Sequence, residues 1–249
     1  MNEVRLSDDQ IASFHENGYL SIDRITTDEE IADLRELYAK MLDTEARIHF
    51  EGKREDGSTG VIEQVIAPEL THPELLETDY FRNARAIACQ LMDIDEAQLE
   101  RANTMIIYKP PGAGRDTPWH HDEAYWSWAA DYVANALSCW MPLDDVSVES
   151  GCMHYLPKSQ EWTDDLTYRR VDGPEPLVLA DDVDVSDGVP CPIPAGGATF
   201  HHCRTLHFAG ANTADIPRRA ISALFMGPHT PREVPAERPW LATPLGQQG

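Results

Sequence analysis

Between residues 103 and 226 the chain is a succession of short apolar, β-prone stretches, and glycine, proline and aspartate clusters separate them. The stretches cover residues 104–108, 134–141, 152–156, 198–202 and 219–226. Many short strands with irregular connections predict a β-sandwich or barrel rather than alternating βα units.

The first third carries a different period. Ser7-Asp8-Asp9-Gln10 is a capping-box pattern, in which a hydroxyl accepts from an orphan N–H while the glutamine reaches back. Ile11 and Phe14 follow at helical spacing, and Gly18 is the expected stop. A second box, Thr27-x-x-Glu30, opens a longer helix with Ile31, Leu34, Leu37, Tyr38, Met41 and Leu42 on one face. Phe81, Ala84, Ile87, Ala88 and Leu91 place a third helix over 79–92. Residues 44–60 are polar, contain Gly52, Gly57 and Gly60, and read as a mobile loop. The acidic stretch 180–188 reads as an excursion, and 228–249, with five prolines, as an extended tail. A chain of 249 residues suits one domain: a helical front over about 7–95, a β core over about 103–226, and the tail 227–249.

Charge narrows the function. Lys and Arg total 20 against 43 Asp and Glu, a net −23, and only Lys40, Lys53, Lys109 and Lys158 are lysines. Such a field repels phosphate backbones and anionic bilayers, so neither nucleic acid nor a membrane surface is an expected partner. It also disfavours a coenzyme A thioester. Five scattered cysteines with no CxxC pair suggest a reducing compartment. With no signal-like start and no long apolar run, a cytoplasmic location is expected.

Trp119-His120-His121-Asp122 contains an H-x-D triplet. Composition alone yields about one such triplet by chance, so its value lies in geometry. Residues i and i+2 of a strand face the same way, and His120 and Asp122 could hold one metal together. A further His from elsewhere would complete two imidazoles and a carboxylate, the set that leaves open positions on non-haem Fe(II). A solvated His–His–Asp turn is the plainer alternative. Further on, Arg218 follows His207 by eleven residues and opens a β-rich stretch. Its guanidinium suits the distal carboxylate of 2-oxoglutarate in a two-pronged pair. Alternation puts Arg218, Ala220, Ser222 and Leu224 on one face and Ile221 and Phe225 on the other.

These segments together resemble the phytanoyl-CoA dioxygenase-like family of Fe(II)/2-oxoglutarate oxygenases. The resemblance is carried by Phe14-His-Glu-Asn-Gly18, Met105-Ile-Ile-Tyr-Lys109-Pro-Pro-Gly112, Thr117 through Trp126, Trp140 through Met153, and Thr205 through Arg218. It implies a mostly β fold with flanking helices, a double-stranded β-helix or cupin-like jelly roll. It implies His120, Asp122 and His207 as iron ligands, with Arg218, Met105, His121 and Trp140 around 2-oxoglutarate. The cofactors would be Fe(II), 2-oxoglutarate and O2, and the activity the hydroxylation, or another oxidation, of a small molecule with release of succinate and CO2. Relatives usually carry Gln at the position of His121, whose charge would depend on pH. They often carry Gly-Ser where this chain has Phe208-Ala209, and Pro-Gly-Ser-His where it has Pro157-Lys-Ser-Gln160. The carboxylate of Asp122 is present, which argues against the halogenase variant of the site.

Substrate contacts are expected from Tyr125, Trp126 and Trp128, and from a lid bearing Arg47, His49, Phe50 and Arg54; Arg204 could meet an anionic substrate or form a salt bridge. Two alternatives are a cupin-type metalloenzyme that does not use 2-oxoglutarate and a jelly-roll binding protein without turnover. A zinc site from His201, His202, Cys203 and His207 is disfavoured, because consecutive strand residues face opposite ways.

Overall fold

Two antiparallel sheets face each other across the interior. The structure, a computed structural model, describes residues 4–54, 57–162, 166–170, 177–180 and 182–241. The larger sheet has seven strands in the order Tyr19–Ile22, Ala198–His202, Ala136–Pro142, Arg218–Met226, Arg101–Lys109, Thr59–Ile66 and Ile48–Lys53. The smaller has four, in the order Val189–Cys191, Met153–Tyr155, His207–Ala209 and Thr117–His120. Among the described residues, every strand pairing within these two sheets is antiparallel. This is the double-stranded β-helix, and all five expected strands are present to within three residues at each end.

The helices cover the outer face of the larger sheet. Helix α1 (Asp8–Asn17) starts at Ser7 with both halves of the capping box formed and stops at Gly18, φ +80°. Only glycine enters that left-handed region without penalty. The Gly18 carbonyl then accepts from His202 N at 2.9 Å and from Thr205 Oγ1 at 2.7 Å, tying the helix end to the segment before His207. Helix α2 (Asp28–Leu42) buries Ile31, Leu34, Tyr38 and Met41, four of the six residues on its expected face. Helix α3 (Asp79–Met92) has the expected bounds. Their apolar stripes meet Ile221, Ala223 and Phe225 of the central strand in one core cluster, as alternation requires.

Three expectations change. Residues 44–60 are not a loop: Ile48–Lys53 and Thr59–Ile66 pair as a hairpin that extends the larger sheet, with residues 55–56 outside the described set. The outer strand alternates half-buried and exposed residues at a sheet edge, which is why its composition is loop-like. The second box is half-formed. Thr27 accepts from Glu30 N, but the Glu30 carboxylate turns to α3, accepting from Asp79 N at 2.6 Å and Tyr80 N at 2.8 Å. The tail, read as extended, is also docked as far as Leu241: Thr230–Pro231 pairs with Tyr132–Val133, and Trp240 is buried. Residues 242–249 lie outside the described set, as does Asp181 within the acidic excursion. All five cysteines are buried and free, and no helix among the described residues is long and apolar enough to cross a membrane.

Candidate metal centre

Register brings the site residues together. His207 lies directly opposite His120 across the smaller sheet. The strand Thr117–His120 ends there, yet His121 remains extended at φ −124°, ψ 146°, so alternation carries to Asp122, the first residue of a 3-10 turn. One donor atom each from His120, Asp122 and His207 then lies within 4.8 Å of the other two. Asp122 Oδ1 is 3.9 Å from His120 Nε2 and 3.6 Å from His207 Nε2. Both imidazoles are oriented by the backbone: His120 Nδ1 donates to Pro118 O at 2.7 Å and His207 Nδ1 to Thr205 O at 2.9 Å. That arrangement leaves each Nε2 as a lone-pair donor toward the centre.

The other carboxylate oxygen is held apart. Ser138 Oγ donates to Asp122 Oδ2 at 2.5 Å, and His201 Nε2 lies 3.3 Å from the same atom. Burial lowers the pKa of His120 and drives that of His207 well down, so both rings are neutral at pH 7. Burial would raise Asp122, but His207, His201 and His120 around it outweigh burial and hold the carboxyl below its usual range. Two neutral imidazoles and one carboxylate, deprotonated before any ligand arrives, could hold a divalent cation.

These residues open into a cavity of about 390 Å³, ample for a small organic ligand. Arg218 lines it and is 1% exposed, yet its Nε and Nη1 have no hydrogen-bond partner. A buried cation with open donors calls for an anion. Burial lowers its pKa to about 10, which leaves it charged at neutral pH. Trp140 packs 5.4 Å beneath the guanidinium. Ser222 faces Met105 on one side and Trp140 on the other, so these three share the cavity wall. The stretch between His207 and Arg218 is tied down by buried side chains. Asn212, fully buried, donates to Lys109 O, Pro110 O and Ile216 O, and buried Lys109 donates to Ala209 O and Gly210 O.

The expected residue His121 is not in the cavity. It points the opposite way from its neighbours, buried against Tyr168, whose hydroxyl meets its Nδ1. Burial, reinforced by Arg238, holds its pKa at about 3, so its charge does not vary near pH 7. Tyr125 and Trp126 do line the cavity; Trp128 lies behind, stacked between Trp126 and His229. The four expected lid residues do not line it. The hairpin contributes Gln64 and Ile66 instead. Arg204 takes the structural role, 3.9 Å from Glu123. The zinc alternative fails as alternation demands: His202 Nδ1 accepts from Arg204 N, away from His201. His201 and Ser138 themselves were missed. Their signal is the cross-strand pairing of His201 with Ser138, which a single sequence does not display.

A family profile described as phytanoyl-CoA dioxygenase (PhyH) matches residues 14–220. The chain belongs to the PhyH family. Among solved members of this fold, EvdO2 from Micromonospora carbonacea var. aurantiaca, in complex with 2-oxoglutarate, superposes with a TM-score of 0.80 at 32% identity, covering 96% of this chain and 98% of that one. A probable alpha-ketoglutarate-dependent hypophosphite dioxygenase of Stutzerimonas stutzeri is 26% identical over 225 residues, 86% of this chain and 76% of its own length. Phytanoyl-CoA dioxygenase domain-containing protein 1 of Danio rerio is 31% identical over 126 residues; the match spans 48% of this chain and 42% of that protein. The PhyH profile ends before the last core strand does, so the docked tail lies outside it.

Proposed function

We propose that the protein is an Fe(II)- and 2-oxoglutarate-dependent dioxygenase that hydroxylates, or otherwise oxidises, a small uncharged organic molecule. The observation that carries this is Arg218: a buried guanidinium with unpartnered donors in the same cavity as the His–Asp–His cluster. A cupin-type enzyme working without 2-oxoglutarate gives that charge no counter-ion. His120, Asp122 and His207 would hold the iron, and Arg218 would take the far carboxylate of the co-substrate, with Met105 and Trp140 as neighbouring wall. Bound there, iron would supply O2 activation coupled to decarboxylation of 2-oxoglutarate to succinate and CO2. The chain's own part is to fix the ligand orientation through Pro118 O and Thr205 O, to neutralise the co-substrate, and to exclude water with an apolar wall.

The wall also speaks to the substrate. Once Arg218 is engaged, no other Lys or Arg among the described residues lines the cavity. Ile66, Met105, Ile107, Trp126 and Leu224 supply apolar wall, and Gln64 and Asn103 are among its neutral polar residues. With a net charge of −23, this disfavours a coenzyme A ester and any other multiply phosphorylated substrate.

The test is an anaerobic titration of the metal-free protein with Fe(II) and then 2-oxoglutarate, following the weak visible charge-transfer band of the chelate. The band should saturate near one equivalent. In Arg218→Gln, 2-oxoglutarate affinity should fall roughly 10- to 100-fold, the worth of charged hydrogen bonds, with Fe(II) binding unchanged. Iron binding without the band would remove 2-oxoglutarate from the reading.

A further inference from the structure

Glu123 directly follows Asp122 and is fully buried, at 0% exposure. A carboxylate taken out of water must be matched by cations and donors. Two of its cationic partners come from the docked tail. Arg238 donates from Nη2 to Glu123 Oε1 and from Nη1 to the Glu123 carbonyl at 2.7 Å. Arg232 Nη2 reaches the same Oε1 at 3.3 Å. Both side chains are themselves less than a tenth exposed, Arg238 at 6% and Arg232 at 8%. Trp240 Nε1 donates to the next carbonyl, Ala124 O, at 2.9 Å. Backbone bonds continue the clasp: Arg232 N to Asp131 O and Ala236 N to Ala130 O. The tail therefore grips the whole segment that presents Asp122, Tyr125 and Trp126 to the cavity.

We propose that Glu123, Arg232 and Arg238 are positioning residues for the metal centre, the tail setting Fe(II) affinity through the buried carboxylate. The inference rests on the iron reading of His120, Asp122 and His207. Its physical basis is that the Asp122–Glu123 unit is anchored from three directions: Glu123 N to Cys203 O at 3.0 Å, its carbonyl to Arg238, and its side chain to both arginines. Without Arg238, Glu123 stays buried with one arginine fork fewer, and admitting water in its place would shift the 122–125 turn. Asp122 moves with it, away from the fixed rings of His120 and His207.

The experiment compares full-length wild type with Glu123→Gln, Arg238→Gln and a remote control, Asn83→Ala, which deletes a buried side-chain bond to Ile25 O. Fe(II) affinity is measured anaerobically, together with the position of the chelate band after 2-oxoglutarate addition and the thermal midpoint. Glu123→Gln and Arg238→Gln should weaken Fe(II) binding about tenfold or more, the scale seen for groups that orient metal ligands, and shift the band. Asn83→Ala should lower the midpoint with Fe(II) affinity intact. Should Arg238→Gln not fold, Arg238→Lys decides by the same readout: it keeps the cation but loses the fork, and should bind Fe(II) more weakly than wild type. Wild-type Fe(II) affinity in the glutamate and arginine variants, whatever their midpoints, overturns the proposal. Failure of the wild type to bind Fe(II) at all would instead refute the underlying iron reading.

Discussion

Asp122 carries two tasks on two oxygens. Oδ1 faces the imidazoles of His120 and His207, while Oδ2 is kept by Ser138 and approached by His201. Divided in this way, the carboxylate is pre-set to offer one oxygen to a metal, and the helper bonds become part of its affinity. Ser138→Ala is expected to weaken Fe(II) binding about tenfold, because the lost hydroxyl is the one that donates to Asp122 Oδ2. Isothermal titration under anaerobic conditions checks this, and an unchanged affinity would mean that Asp122 needs no second anchor. Strand alternation pointed to His120 and Asp122 and motif spacing to Arg218, while His207 entered as a ligand only through the family resemblance; register across the smaller sheet sets it opposite His120 and beside Asp122. His121 was misplaced for the converse reason: its neighbours face the cavity, so alternation sends it to Tyr168. His201 and Ser138 were not legible, because they meet through pairing between strands more than sixty residues apart.

At the scale of elements, Glu30 links two helices. It sits in the first turn of α2, but its carboxylate accepts from the first two N–H groups of α3 and from Thr26 Oγ1. An anion at a helix N-terminus gains from both the orphan donors and the macrodipole. Glu30→Ala is therefore expected to cost about 2–3 kcal/mol, as for hydrogen bonds to a charged group. Thr27→Ala, which removes an ordinary cap, should cost about 1 kcal/mol. Urea denaturation of the two variants distinguishes them; equal losses would reduce Glu30 to a local cap. The capping signal thus located α2 correctly and misassigned the partner of its glutamate, since the competing donors belong to a helix almost fifty residues away. The hairpin at Ile48–Lys53 was lost for a different reason. Its outer strand borders solvent, and only its inner neighbour, carrying Gln64 and Ile66, reaches the cavity.

For the molecule as a whole, acid stability depends on which groups titrate first. The large negative charge favours unfolding by self-repulsion, and acid would relieve it, but ordinary carboxylates near pKa 4 stay ionised down to about pH 5.5. Between pH 7 and 5.5 the histidines titrate alone. Burial, aided by nearby arginines, holds His121 at about 3 and His202 at about 4. Below the unfolded value of about 6.5 the unfolded chain therefore takes up protons that the folded one refuses, so stability falls as pH falls. Each fully mismatched histidine contributes roughly 1.4 kcal/mol per pH unit. His49 opposes this, its pKa raised chiefly by the hydrogen bond to Glu63, but it lies at the surface where solvent screens the effect. The metal-free protein should consequently lose stability from about pH 6.5 down to about pH 5.5, the window in which the unfolded chain protonates His121 and His202 and the fold does not. In His121→Gln, a side chain that cannot titrate, urea midpoints at pH 7, 6.5, 6 and 5.5 should trace a slope shallower by up to about 1.4 kcal/mol per unit. An unaltered slope would place His121 in water rather than against Tyr168.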